Sequence, residues 1–231
     1  MNAGLTASLI FLALLVGFIV LVWIVTAGAP KRRTKALEAI AAEMGFSFVA
    51  ERPNGLEGLP LPGTLSLGGG VNRRVKNFME GTMSGMRTTI FDFHYPFNSS
   101  VGQSLLNTVA VFASTQRRVP AFDLSRKPWL QPNSTYSNLV ELSAPEFSRH
   151  FALIGADQVW LRRMFDQQVI DLIVSTYARQ NFRFNGGGPW LVFVAQQRKL
   201  KPAKLRSFLQ DMSQIATAIF ERARAEDTAA A

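Results

Sequence analysis

Residues 86–95 read MRTTIFDFHY. In an extended chain Phe91, Phe93 and Tyr95 project from one side and Ile90, Asp92 and His94 from the other. Val75 to Met79 precedes this run, and Gly81, Ser84 and Gly85 lie between the two. Period-two segments separated by turn residues predict a β-hairpin.

Working outward, further strands are expected at Phe46–Val49, Leu105–Ser114, Val119–Leu124 and His150–Ile154. Phe182–Phe184 and Trp190–Ala195 form a second hairpin about Gly186, Gly187 and Gly188. Residues 52–70 hold three prolines and six glycines and read as a loop, with at most a short strand near Leu65 and Leu67. Residues 125–142 read as another loop. Helical spacing appears at Leu37, Ile40, Ala41 and Met44, closed by Gly45 as a C′ residue. Ser143 with Glu146 fits a capping box. Asp157 is the expected N-cap of one long helix through about Arg179. The last helix, from about Pro202 to Ala225, carries a stripe of Leu205, Phe208, Leu209, Met212, Ile215, Ala216 and Ile219. Strands and helices do not alternate regularly, which argues against a doubly wound parallel sheet. The expected fold is α+β, a mostly antiparallel sheet with helices on one face, over residues 31–225. Residues 226–231 form an Ala-rich tail expected to fray.

Residues 1–30 read as an N-terminal transmembrane anchor. Leu5 to Ala27 is a run of 23 residues without a charge. A helix of that length is about 35 Å long, enough for a hydrocarbon core of about 30 Å. Trp23 suits the headgroup boundary. Ala27-Gly28-Ala29 resembles a cleavage site, but no Lys or Arg precedes the run, and the run exceeds the usual apolar length of a signal peptide. Lys31, Arg32, Arg33 and Lys35 follow at once, which places the C-terminal side in the cytoplasm and the N-terminus outside. A single-pass protein of the inner membrane is expected, contacting lipid through residues 5–27. Ala13 and Gly17 form a small-xxx-small pair of the kind that arises by chance in such spans. A helix break or kink is expected at Pro30.

The chain of 231 residues has 25 Lys and Arg against 16 Asp and Glu, a net charge of +9. It has no cysteine and only two histidines, which excludes thiolate metal sites, disulfide scaffolds and cysteine nucleophiles. No cofactor or metal site is expected. The triple glycines at 68–70 and 186–188 lack the Lys and Ser or Thr of a phosphate loop and read as turns.

Asp92 and His94 lie on the same side of one strand and invite an acid–base reading, a hydrolase-like enzyme. No nucleophile elbow supports it. The simpler readings are that both face solvent, or that Asp92 bonds local backbone or a nearby arginine. The remaining signal is basic. Arg198, Lys199, Lys201, Lys204 and Arg206 form one cluster, Arg73, Arg74 and Lys76 another, and Arg117 with Arg118 a third. Cations held near an anionic leaflet gain about 1 kcal/mol each. Of these, Arg73, Arg74, Arg198, Lys199, Lys201 and Lys204 are the candidate contacts to anionic lipid headgroups. Solvated loop charges are the alternative, and nucleic-acid binding is disfavoured because no recognised module is present.

The anchor, the helix ending in Gly45-Phe46, Phe91-Asp92-Phe93, Thr108-Val109, Pro120-Ala121-Phe122-Asp123-Leu124 and Phe151–Asp157 together resemble a family of bacterial single-pass membrane proteins of unknown function with a cytosolic α+β domain. The resemblance implies that architecture and no activity, cofactor or site residue. The sequence therefore reads as a non-enzymatic, membrane-anchored module that binds a protein partner or the inner leaflet.

Overall fold

The computed structural model describes residues 3–52, 74–98, 103–127, 136–195 and 199–225, without the side chains of 3–10, 13, 19–28, 95–98, 103–106 and 224–225. The elements are α1 (Ala3–Glu43), β1 (Ser47–Arg52), β2 (Arg74–Met83), β3 (Met86–Asn98), β4 (Gln103–Ala113), β5 (Arg117–Arg126), α2 (Pro145–His150), β6 (Phe151–Gly155), α3 (Gln158–Met164), α4 (Gln167–Arg179), β7 (Phe182–Gly188), β8 (Trp190–Ala195), α5 (Pro202–Arg222) and β9 (Arg224–Ala225). The expected strands near Leu65 and Leu67 and the glycines at 68–70 fall outside the described residues.

The fold is α+β, and the described strand pairs are all antiparallel. The sheet runs β1-β2-β3-β4-β8-β7-β5-β6, with β9 added to β5. Thus the β7–β8 hairpin, formed late in the chain, is inserted between β4 and β5. The alternation in β3 sorts two apolar clusters onto the two faces. Ile90 joins Phe112, Phe184 and Phe193 on the face that carries the helices. Phe91 and Phe93 join Val75, Val109, Val111, Val192 and Val194 on the other. The stripe of α5 is buried as its spacing requires, from Leu205 through Ile219. Each such large apolar side chain contributes roughly 1.5–3 kcal/mol relative to exposure. Phe184 stacks on Phe193 with centroids 4.8 Å apart.

Several local expectations are corrected. Helix α1 continues through Pro30 instead of breaking there, so the apolar run and the amphipathic segment belong to one helix of 41 residues. The helix expected from Asp157 to Arg179 is two: Asp157 caps α3, and Asp166 caps α4 by accepting from the Val169 N–H at 3.0 Å. A second capping carboxylate inside an apolar run starts a new helix, which periodicity alone does not register. The capping box is absent, since Ala144 is the N-cap of α2 and Pro145 opens it. Gly81 lies inside β2, and the hairpin turns at Ser84 (φ 51°) and Gly85 (φ 74°), the paired positive φ of a type I′ turn. Gly45 (φ 71°) ends α1 as read from the sequence.

Among the described residues no helix is long and apolar enough to cross a membrane. Most side chains of the 5–27 run, including Ala13 of the small-residue pair, lie outside the described set. Those described are apolar and open: Phe11, Leu12, Leu14, Leu15, Val16 and Phe18 are each exposed, Phe11 and Leu14 by 69%.

At Gly81 the sheet closely approaches Phe46, in the chain entering β1. A Cβ there would strike the Phe46 ring. Gly81→Ala is expected to lower stability by about 1–3 kcal/mol, the usual cost of overpacking. Urea unfolding of the detergent-solubilised full chain, followed by tryptophan fluorescence, measures it.

Candidate functional site

The β2–β3 register sets Arg74 opposite His94, Val75 opposite Phe93 and Lys76 opposite Asp92. Cross-strand partners share a face, so Arg74, Lys76, Asp92 and His94 all project to the helix side. A bulge follows, where the register shifts between Lys76 and Met79. The bulge residue, Asn77, takes φ 51° and turns onto the same side as Asp92. Asn is among the residues that tolerate this backbone region. Without the extra residue, alternation would send Asn77 to the Phe91 face.

Asp92 is the centre of a closed polar node. Its side chain is 4% exposed and that of Arg33 is 13%. Arg33 Nε donates to Oδ2 and Nη2 to Oδ1, each at 2.8 Å, a two-pronged charge-assisted pair. Asn77 Nδ2 donates to Oδ2 and Thr108 Oγ1 to Oδ1, again at 2.8 Å. Each carboxylate oxygen thus accepts two hydrogen bonds, which fills the four acceptor sites of the group. Thr34 Oγ1 donates to Asn77 Oδ1 at 2.9 Å. Arg33 Nη1 reaches the Leu200 carbonyl, and the Leu200 N–H donates to Thr108 Oγ1 at 3.1 Å. One carboxylate therefore joins α1, three strands and the segment before α5.

This geometry answers the Asp92–His94 question. Asp92 does not face solvent, and it bonds a nearby arginine. His94 is not among its hydrogen-bond partners, so the dyad that a hydrolase reading needs is not assembled. Burial lowers the imidazole pKa of His94 below its ordinary value, and the charges of Lys199, Arg74 and Lys76 lower it further. Among the described residues no group of three or more Asp, Glu, His or Cys could hold a metal ion.

The six candidate cations separate. Arg73 and Arg198 lie outside the described residues. Arg74 stands opposite His94 across β2 and β3, and Lys199, from a separate sequence cluster, is next to Leu200 at the Arg33–Thr108 node, so the charges of both act on His94. Lys201 is the exposed N-cap of α5, and Lys204 is exposed in its first turn. Arg206 leaves the group to pair with Glu43, and Arg117 bonds the Ala223 carbonyl at the far strand β5. The direction of α1 fixes where the cations sit. Its later residues run along β2 from Arg33, which bonds Asp92, and the chain that follows the helix puts Phe46 beside Gly81. Its earlier residues therefore leave the domain past Arg74 and His94, with Lys31 and Arg32 on the departing turn.

Sequence reasoning missed Asn77, Thr108 and Leu200. The bulge that turns Asn77 inward leaves no trace in alternation. It also missed a groove of about 410 Å³ between α2 and α4, lined by Ala144, Phe147, Ile170 and Val174 with Glu146 and Asp171 at its rim.

No family model and no curated protein matches the chain. Among solved structures, the mycobacterial trehalose monomycolate transport factor A has a similar fold, with a TM-score of 0.57 at 16% identity over 82% of this chain and 93% of that one.

Removing one partner of a buried ion pair strands the other. Asp92→Leu alone is expected to cost about 3–5 kcal/mol, and Arg33→Met with Asp92→Leu to recover much of that loss. A double-mutant cycle on urea unfolding reads the coupling. The His94 shift has a separate consequence. Its folded pKa is depressed, so the unfolded chain binds the extra proton as pH falls toward and below the ordinary imidazole value. That contribution to stability is present above the ordinary value and is lost on acidification. Lys199→Gln is expected to raise the His94 pKa, measured by NMR titration of the imidazole.

Proposed function

We propose that this chain is a membrane-anchored, non-enzymatic module whose domain lies in the cytoplasm and is held against the inner leaflet. The observation that carries this reading is the position of its cations. Arg74, Lys76 and Lys199 act together on His94 at the part of the sheet where Arg33 fastens α1, and Lys31 and Arg32 precede Arg33 on that helix. If residues 5–27 cross the bilayer, this end faces the headgroups. The anchor itself is supported by its uncharged length and by the open apolar side chains from Phe11 to Phe18. A helix apolar on all sides needs an apolar medium around it.

The helix also explains how the domain keeps its orientation. Arg33 lies three residues after Pro30, and it is fastened to the sheet within the same continuous helix. No loop separates the apolar run from the domain. The basic end is therefore held within a Debye length of the surface, about 10 Å at 0.1 M salt.

A second reading rests on the fold neighbour. That protein is a trehalose monomycolate transport factor, and a protein-facing role in transport is the reading its likeness in fold supports. Co-purification of the full chain from membranes, with its bound proteins and lipids identified, separates a lipid-facing role from a protein-facing one.

Two measurements test the main reading. A reporter fused after Ala231 should be active in the cytoplasm, and activity only in the periplasm overturns the orientation. In nanodiscs, acetylation of Lys199 and Lys201 should slow when neutral lipid is replaced by anionic lipid. Raising the salt from about 0.1 M to 1 M should restore the rate, because the Debye length falls to about 3 Å. Equal labelling in neutral and anionic discs would mean that these charges are merely solvated.

A further inference from the structure

The sheet rung beyond Asp92 collects positive charge around a single imidazole. Arg74 stands opposite His94 across β2 and β3, and Lys76 lies two residues further along the same face. Lys199 arrives from the segment before α5, which Leu200 pins through Arg33 and Thr108. Among the described residues, the charges that act on His94 are those of Lys199, Arg74 and Lys76. The nearest carboxylate along β3, Asp92, already accepts four hydrogen bonds. Glu51 reaches Lys76 at 3.6 Å, but both side chains are about half exposed, so water weakens the pair. Cations brought together from β2 and from the far end of the chain repel one another unless an anion sits among them.

We propose that Arg74, Lys76, His94 and Lys199 form a binding site for a phosphate monoester dianion, presented by a lipid headgroup or by a soluble phosphate. The proposal deepens the leaflet-binding reading and rests on it. A phosphate monoester carries close to two negative charges near neutral pH and offers three terminal oxygens. A diester linkage carries one charge and offers two. Arg74 supplies a planar fork, and the two lysines supply mobile point charges. The neutral imidazole supplies one N–H donor and gains a proton when an anion reverses the local field. Four donors of these types match a monoester better than the single charge of a diester.

The test uses the full chain in nanodiscs. His150→Gln leaves His94 as the single imidazole, whose titration is followed by NMR. Inorganic phosphate added to neutral-lipid discs should raise the His94 pKa, while chloride at equal ionic strength should not. In Arg74→Gln/Lys199→Gln the shift should vanish, and phosphate affinity should fall at least about tenfold, the equivalent of about 1.4 kcal/mol. Arg149→Gln/Arg163→Gln, on the exposed surface of α2 and α3, should keep the shift, which guards against a general loss of charge or fold. Discs containing phosphatidic acid are compared with phosphatidylglycerol discs of matched surface charge. A larger shift with phosphatidic acid assigns the site to a lipid headgroup. A shift with inorganic phosphate and none beyond phosphatidylglycerol with phosphatidic acid assigns it to a soluble phosphate. If inorganic phosphate leaves His94 unmoved and the two lipids act alike, the monoester site is overturned, while salt-sensitive protection of Lys201 would leave the leaflet reading standing.

Discussion

A buried carboxylate must be neutralised where it sits, and in this chain that requirement falls on Asp92. The cost of taking a charged pair out of water is several kcal/mol per ion, and it is offset only when every acceptor site is filled. Here Arg33, Asn77 and Thr108 fill them all. The partners come from parts of the chain separated by up to 75 residues, and Arg33 extends the node to Leu200. Such a node contributes little net stability compared with an apolar core. Its effect is on register. A slip of β2 by one residue would turn Asn77 away, and a rotation of α1 would withdraw Arg33. Either would leave an uncompensated charge inside.

The same constraint shapes the surface around it. Arg33 and Thr34 tie α1 down at the sheet end where Arg74 and His94 lie. Leu200 is tied to the same point, so Lys199 and Lys201 on either side of it are fixed beside the departing helix. The basic cluster is thus a by-product of satisfying one acid. Arginines further from the node go elsewhere, Arg206 to Glu43 and Arg117 to the Ala223 carbonyl at the end of α5.

Much of the sheet was legible because the alternation in β3 and β4 and the stripe of α5 are period signals that burial obeys. The two faces of β3 were read correctly from Ile90, Phe91, Asp92 and Phe93. What could not be read depends on insertions and on distance. The bulge at Asn77 adds one residue without changing residue types. Asp166 divides a helix because its side chain turns back on its own backbone, a choice that competes with helix continuation by a small margin. The pairing of Asp92 with Arg33 was named only as a nearby arginine, since 59 residues separate them and many arginines were available. The clusters at Arg74 and Lys199 looked independent until the fold brought both to His94.

Strand order carries a consequence for synthesis. β4 ends at Ala113, and its outer neighbour β8 begins at Trp190, with the intervening chain building the other edge of the sheet. A ribosome adding about 5–20 residues per second needs several seconds to make that stretch. During this interval β1 to β4 can form a meander with one bare apolar edge, Val109 and Val111 among its residues. The insertion of β7 and β8 then closes the gap from the middle, and Leu200 arrives last to complete the node around Asp92. A nascent chain would pass through that open-edged stage before β8 exists, when a neighbouring copy can add a strand. The late hairpin is therefore the step that decides between a closed sheet and edge-to-edge association.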